Sequence, residues 1–217
     1  MKFDIITIFP DIFSSYLSES ILKRAVQKNK IEIKMHNPRT FATDTHKSVD
    51  DRPYGGGPGM ILMFPPFYKT LQKIKKRKKS KIILLTPAGR QFTQRDAEKY
   101  ATLDQLILIS GRYEGFDERI ERLADEKISV GPYVLSGGEI PALTIVEAVT
   151  RLLPGVLGHA DSAISDTFAN NLEYVEYPQY TRPEKVKVKG KNWCVPKVLL
   201  SGDHKVIAEW RQKKCKN

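Results

Sequence analysis

Apolar and polar positions change period several times along this chain, and the changes mark out its elements. Residues 3–9 form a β-rich apolar run that Pro10 stops. Leu17, Ile21, Leu22, Ala25 and Val26 then recur at helical spacing, which predicts an amphipathic helix. Residues 31–35 alternate like a second strand. From 36 to 59 no period is visible, and a polar loop of that length in a compact domain is commonly functional or disordered. Helical spacing returns over 64–74, entered through Pro65 and Pro66.

Three similar units follow. Each is a short apolar strand, a glycine-bearing loop and then a helix. The strands are 81–86, 106–110 and 127–130, and the first two helices are 93–100, with Thr93 as N-cap, and 117–123. Strands this apolar that alternate with helices predict a buried parallel sheet and an α/β fold. The third helix carries Pro141 in its first turn, where a missing N–H does no harm. Its spacing puts Thr144, Ala148 and Arg151 on one face and turns Leu143, Val146, Val149 and Leu153 toward the core. Pro154 and Gly155 stop it. Residues 155–171 are poor in pattern and read as a linker holding Asp161, Ser162, Ser165, Asp166 and Thr167. Beyond them lies a small basic unit that ends in a helix over 204–214.

Charge sharpens this picture. Among 217 residues, 36 Lys and Arg against 25 Asp and Glu give a net +11, which suits an anionic partner, nucleic acid before a membrane surface. In the last unit Tyr174, Tyr177 and Tyr180 interleave with Arg182, Lys185, Lys187, Lys189 and Lys191, a mixture that fits nucleic-acid binding by charge and stacking. The run 73–81 is also basic and adds to a phosphate-attracting field, although such runs are usually solvated. No apolar run reaches the roughly 18 residues of a membrane span, and the N-terminus reads as a strand rather than a signal peptide. Two cysteines, Cys194 and Cys215, suggest no disulfide framework, so cytoplasm is the expected compartment.

The candidate chemistry sits in loops. Three glycine-bearing loops fall at the carboxyl ends of the three strands, the edge where open α/β sheets bind ligands. Between them they hold Thr86, Pro87, Gly89, Gly111, Tyr113, Glu114, Val130, Gly131, Tyr133, Val134, Leu135, Gly137, Gly138 and Pro141. A fourth, Gly55-Gly56-Gly57-Pro58-Gly59, stands beside Asp50, Asp51, Arg52 and Tyr54, a mixture that flexible linkers rarely carry. Dinucleotide, P-loop and G-x-S-x-G motifs are absent, and the four histidines and two cysteines lack metal-site spacing, so no metal ligands are assigned.

Four segments in order, VDDRPYGGGPGM at 49–60, SGRYEGFDE at 110–118, YVLSGGEIPA at 133–142 and PQYTRP at 178–183, resemble the bacterial tRNA (guanine-37-N1)-methyltransferase family. PGVLG at 154–158 fits as well. The resemblance implies a knotted parallel-sheet SPOUT methyltransferase domain over 1–158, a linker over 159–172 and a small, mainly helical tRNA-binding domain over 173–217. It further implies a homodimer with active sites built across the interface. S-adenosylmethionine would lie in the three sheet-edge loops, with Glu114 toward its cationic part, and magnesium is left open as a second cofactor. Asp166 matches the general base and Arg151 the catalytic arginine. Asp50, Asp51, Tyr54, Gly55, Gly56, Gly57 and Arg182 would bind the substrate, with Asp50 and Asp51 approaching the target base from the partner subunit and the C-terminal unit holding the anticodon arm of tRNA. Another knotted RNA methyltransferase and a non-catalytic RNA-binding protein are the alternatives. The chain departs from the family at Pro132, where an aspartate is usual, and at Thr86, Ser165, Thr167 and Gln179.

Overall fold

A computed structural model describes residues 1–158, 166–169 and 171–216. Ser165 and most of the expected linker lie outside these residues. The chain divides into two compact units, Met1–His159 and Ala160–Asn217.

The first unit is built on a five-stranded, all-parallel sheet of β1 (Lys2–Ile6), β2 (Glu32–His36), β5 (Ser80–Gln91), β6 (Gln105–Ser110) and β7 (Glu126–Ser129), in the order β2-β1-β6-β5-β7. Successive side chains of a strand point to opposite faces, and both faces here are covered. Phe3, Ile5, Ile83, Leu85, Leu106 and Leu108 pack one way, with α2 (Ser20–Gln27), α4 (Gln94–Ala101) and α6 (Glu139–Thr150) contributing to the same cluster. Ile6, Ile82, Leu84, Ile107 and Ile109 pack the other way, with Phe67 and Leu71 of α3 (Phe64–Lys73) and Ile120 of α5 (Glu118–Glu121). That explains why the strands read as continuous apolar runs.

The expected parallel α/β fold is therefore present, with differences of detail. The first predicted helix is two pieces, α1 (Ser14–Leu17) and α2, because Ser20 takes a left-handed φ of 49° at the junction. Val26, placed on its apolar face by spacing, is exposed. The long polar loop contains β3 (Asp50–Asp51), which pairs antiparallel with β4 (Ile61–Leu62) just beyond the loop. The strand predicted to end at Thr86 runs on to Gln91. Ile128 of β7 pairs with both Leu85 and Arg90, so residues 86–89 bulge out of a continuous strand. Gly89 permits the return, since a Cβ there would lie 2.5 Å from the backbone nitrogen of Ile128. Thr93 caps α4 in a reciprocal capping box with Asp96, as the sequence suggested.

Glu126, at the start of β7, gathers Lys81 from β5, Arg90 from beyond the bulge and Tyr100 from α4. Burial alone would raise its pKa, but the hydrogen bonds from Lys81, Tyr100 and Arg90 outweigh it and hold the carboxyl at about 2. A carboxyl depressed on folding stabilises the protein above its unfolded pKa and loses that contribution as pH falls through the folded one. The urea midpoint should therefore fall between pH 5 and pH 2, and Glu126→Gln should flatten that fall. An identical acid profile for the two proteins would show that the cluster contributes nothing.

The second unit contains a β-hairpin that the sequence reading did not anticipate, β8 (Lys185–Val188) with β9 (Lys191–Cys194). Gly190, at φ 78°, turns it. The terminal helix, α7 (His204–Lys214), matches the expected bounds and is capped by the Asp203 side chain. Both cysteines are free thiols. Among the described residues, no helix is long and apolar enough to cross a membrane.

Candidate functional site

The carboxyl edge of the sheet carries a cleft of about 330 Å³. Three loops form it: the bulge after Leu85, the turn 111–116 after β6, and the stretch 130–138 between β7 and α6. Of the residues expected there, Thr86, Pro87, Gly111, Tyr113, Glu114, Val130, Tyr133, Val134, Leu135, Gly137, Gly138 and Pro141 line it. Gly89 and Gly131 do not. Gly89 serves the bulge, and a Cβ at Gly131 would run into the Tyr133 ring at 2.3 Å.

The third loop is locked against the second by contacts that the sequence reading missed. Glu139, 1% exposed, accepts a hydrogen bond from Thr7 Oγ1 at 2.8 Å and one from Arg112 Nε at 2.9 Å. Arg112 Nη1 also donates to the Ser136 carbonyl at 3.4 Å, and its guanidinium lies 4.8 Å from the Phe9 ring centroid. The Gly138 N–H donates to the Gly111 carbonyl at 2.9 Å. This packing leaves no room for side chains on the glycine pair. A Cβ at Gly137 would meet Arg112 Nε at 2.3 Å, and one at Gly138 would meet Ser110 Cα at 2.7 Å. The available signal was the spacing itself, since Glu139 adjoins Gly138 as Arg112 adjoins Gly111. Pairing the two loops required the sheet order.

The chemistry of the lining restricts its ligand. Arg112 is the sole cation among the lining residues, and it is paired with Glu139. Two carboxylates, Glu114 and Glu121, face it with apolar walls from Val130, Val134, Leu135 and Pro141. Glu121 is paired with Lys127, whereas Glu114 has no ion pair among the described residues. A phosphate would find little here. A neutral purine bonded by backbone groups, joined to a cationic group facing Glu114, fits.

The glycine-rich loop adjoins this cleft. Its stem is sewn to the second loop by hydrogen bonds from Glu114 N to Met60 O at 3.0 Å and from Leu62 N to Gly115 O at 2.9 Å. Gly59 packs on Glu114, where a Cβ would lie 2.5 Å from Glu114 Cγ. Gly55 and Gly56 have open space around them, and a Cβ at Gly57 would make only an ordinary contact with Pro53 Cγ at 3.8 Å, so their φ values of 85°, 79° and 130° are what demand glycine. Asp50 and Asp51 sit in β3, and Tyr54 at the tip is fully exposed. Below the second loop, Asp117 caps α5 and is held under the ordinary carboxylate range by its hydrogen bonds with Arg119.

Arg151 is the C-terminal cap of α6 in the first unit, and its N–H donates to Glu147 O at 3.2 Å. Asp166 belongs to the second unit, where its carbonyl accepts from Ala169 N at 3.0 Å. That unit also holds a cavity of about 630 Å³ lined by Tyr177, Gln179, Arg182 and Arg211, among others. The Arg211 guanidinium lies 4.9 Å from the Tyr177 ring centroid. No group of three or more metal-ligating side chains occurs among the described residues.

Known proteins are similar to this sequence along nearly its whole length. The family model described as tRNA (Guanine-1)-methyltransferase TrmD matches residues 1–217. A tRNA (guanine-N(1)-)-methyltransferase of Geotalea uraniireducens (strain Rf4) is 50% identical over 215 residues, covering 98% of this chain and 85% of the relative. Proteins of the same name from Rhodopirellula baltica and Geobacillus kaustophilus (strain HTA426) are each 48% identical over 215 residues. These cover 97% and 98% of this chain, and 87% and 86% of the relatives. With the family model matching from end to end and half of all positions shared with a named relative, the chain belongs to the tRNA (guanine-1)-methyltransferase family.

Proposed function

We propose that this protein transfers a methyl group from S-adenosylmethionine to N1 of guanosine 37 of tRNA, next to the anticodon. The observation that carries the reading is the cleft at the carboxyl edge of the sheet: glycine-walled, without an unpaired cation, and bordered by Glu114. Within a methyltransferase family, that lining suits a ligand with a neutral purine and a positive charge.

Thr86, Gly111 and the backbone from Val130 to Gly138 would hold the adenosine part, and Glu114 would face the cationic part. When bound, the cofactor supplies a methyl group made electrophilic by its sulfonium. The remaining work falls to side chains of the protein. Guanine N1 carries a proton and is a poor nucleophile until it leaves. Asp166 takes that proton as general base, in step with bond formation, because N1–H grows more acidic as N1 gains its new bond. Arg151 stabilises the negative charge that shifts toward guanine O6. Base flipping from the anticodon loop costs a few kcal/mol. Contacts from Asp50, Asp51, Tyr54 and the glycine-rich loop, and from Arg182 in the second unit, offset that cost.

The protein would act in the cytoplasm as a homodimer, with the glycine-rich loop of one subunit completing the site of the other. Exposed Val134, Ile140 and Tyr133 beside the cleft offer apolar surface for that contact. A trefoil knot through the three loops, and domains over 1–158 and 173–217 joined by a linker over 159–172, belong to the same proposal.

The test is methyl transfer from labelled S-adenosylmethionine to two tRNA transcripts, one with guanosine at position 37 and one with adenosine. Label in the first alone is the expected result. Equal label in both would overturn the assignment to that guanine. No label, with no cofactor bound by calorimetry, would overturn the catalytic reading itself.

A further inference from the structure

The edge of the sheet opposite the cleft carries an array of cations on a pinned loop that the proposed reaction does not use. It is formed by the loop 74–79 between α3 and β5, in which Lys75, Lys76, Arg77, Lys78 and Lys79 are consecutive and exposed. The registers Lys2↔Glu32, Lys2↔Gln105 and Ser80↔Gln105 align the amino ends of four strands beside it. Across the six residues of β6, at ~3.3 Å per residue, this array lies about 20 Å from the cleft.

Five like charges in a free loop would spread apart. Here the backbone is pinned. Arg77 N donates to Gln105 Oε1 at 2.7 Å, and Lys79 N donates to Asp104 Oδ2 at 3.1 Å. The Lys79 carbonyl accepts from the N–H groups of Asp104 and Gln105 at 2.9 and 3.2 Å. Gln105 Nε2 donates to the Lys75 carbonyl at 3.3 Å and to Asp4 Oδ2 at 2.6 Å. Gln105 and Asp4 are both fully buried. A buried carboxylate is costly unless it is paired and hydrogen-bonded, and this one helps to hold the residue that grips the basic loop.

The cations themselves are left largely unneutralised. Arg77 pairs with Glu32 at 3.1 Å. Among the described residues, Lys75, Lys76, Lys78 and Lys79 make no ion pair. A row of ammonium groups on a pinned backbone concentrates a polyanion without ordering the loop on contact. The one apolar side chain within the run, Ile74, is buried, so nothing here would insert among lipid tails.

We infer that this array is a second RNA-binding surface, which grips phosphates of an RNA segment remote from the modified base. The choice of RNA over another polyanion rests on the proposed function. The site is electrostatic and blind to sequence, so its signature is the salt dependence of binding. Each phosphate contact contributes ~0.7 to 0.9 to the slope of log K against log salt.

The test is fluorescence anisotropy of labelled full-length tRNA against the whole protein across a salt series. The quadruple variant Lys75→Gln, Lys76→Gln, Lys78→Gln, Lys79→Gln is compared with the wild type. The expected result is a slope reduced by about two or more and an affinity reduced at least ~10-fold near 0.15 M salt. The corresponding quadruple Lys→Arg variant should retain both. Unfolding midpoints of the variants, S-adenosylmethionine binding and kcat at saturating tRNA should not change, and they report on the proposed function separately. Unchanged tRNA affinity and slope would overturn the inference. So would a loss confined to binding of anionic phosphatidylserine vesicles, which would assign the surface to a membrane instead.

Discussion

Alanine at Gly138 should weaken cofactor binding. The new Cβ would stand 2.7 Å from Ser110 Cα and 2.8 Å from Gly111 N, both backbone atoms that no rotamer change can clear. The φ of Gly138 is −83°, which alanine adopts freely, so the effect is steric rather than conformational. To make room, the third loop must lift off the end of β6 and break the Gly138–Gly111 hydrogen bond. Overpacking of this kind costs ~1–3 kcal/mol. Because the displaced backbone forms the cleft wall, the affinity for S-adenosylmethionine should drop by about 5- to 100-fold, since each ~1.4 kcal/mol is tenfold. Calorimetry with the cofactor measures this directly. Gly158→Ala is the control, because nothing lies within 4 Å of its Cβ position, and it should bind as the wild type does. Full affinity in Gly138→Ala would mean that the cofactor lies elsewhere.

The second large effect falls on turnover and leaves binding alone. Asp166→Ala should lower single-turnover methyl transfer by ~10² to 10⁴, the usual worth of a general base. Its dissociation constants for cofactor and for tRNA should stay within a few-fold of wild type. Asp166→Asn, which keeps the shape and removes the basicity, should be as slow as Asp166→Ala. An asparagine variant with near-normal rate would show that Asp166 positions the RNA rather than taking the proton. A loss of tRNA affinity that tracks the loss of rate would point the same way.

The two residues differ in how they could be found. The glycine pair was legible from the pattern, because a glycine-bearing loop after each apolar strand marks the binding edge of a parallel sheet. The role proposed for Asp166 was not, because one acid in a patternless stretch carries no local signal. Only the resemblance of surrounding segments singled it out.

Local sequence determined what local physics controls. The apolar runs 81–86 and 106–110 specified buried strands, and the capping box at Thr93 and the Asp203 cap set helix starts. The charge balance pointed to an anionic partner. The positive φ values at 55–57 were implied by glycines that nothing else requires. Tertiary structure decided whatever depends on partners distant in sequence. The strand β5 outruns Thr86 because β7 is there to pair with Arg90 and Gln91. The alternating lysines at 185, 187 and 191 became a hairpin because each strand has the other beside it. Glu139, Arg112 and Thr7 form one lock across separations of 27 and 132 residues. The basic run at 75–79 looks like an ordinary solvated segment until Gln105 and Asp104 pin it to the sheet. Periodicity reports which face of an element is buried. It does not report which elements meet, and it is their meeting that closes a site.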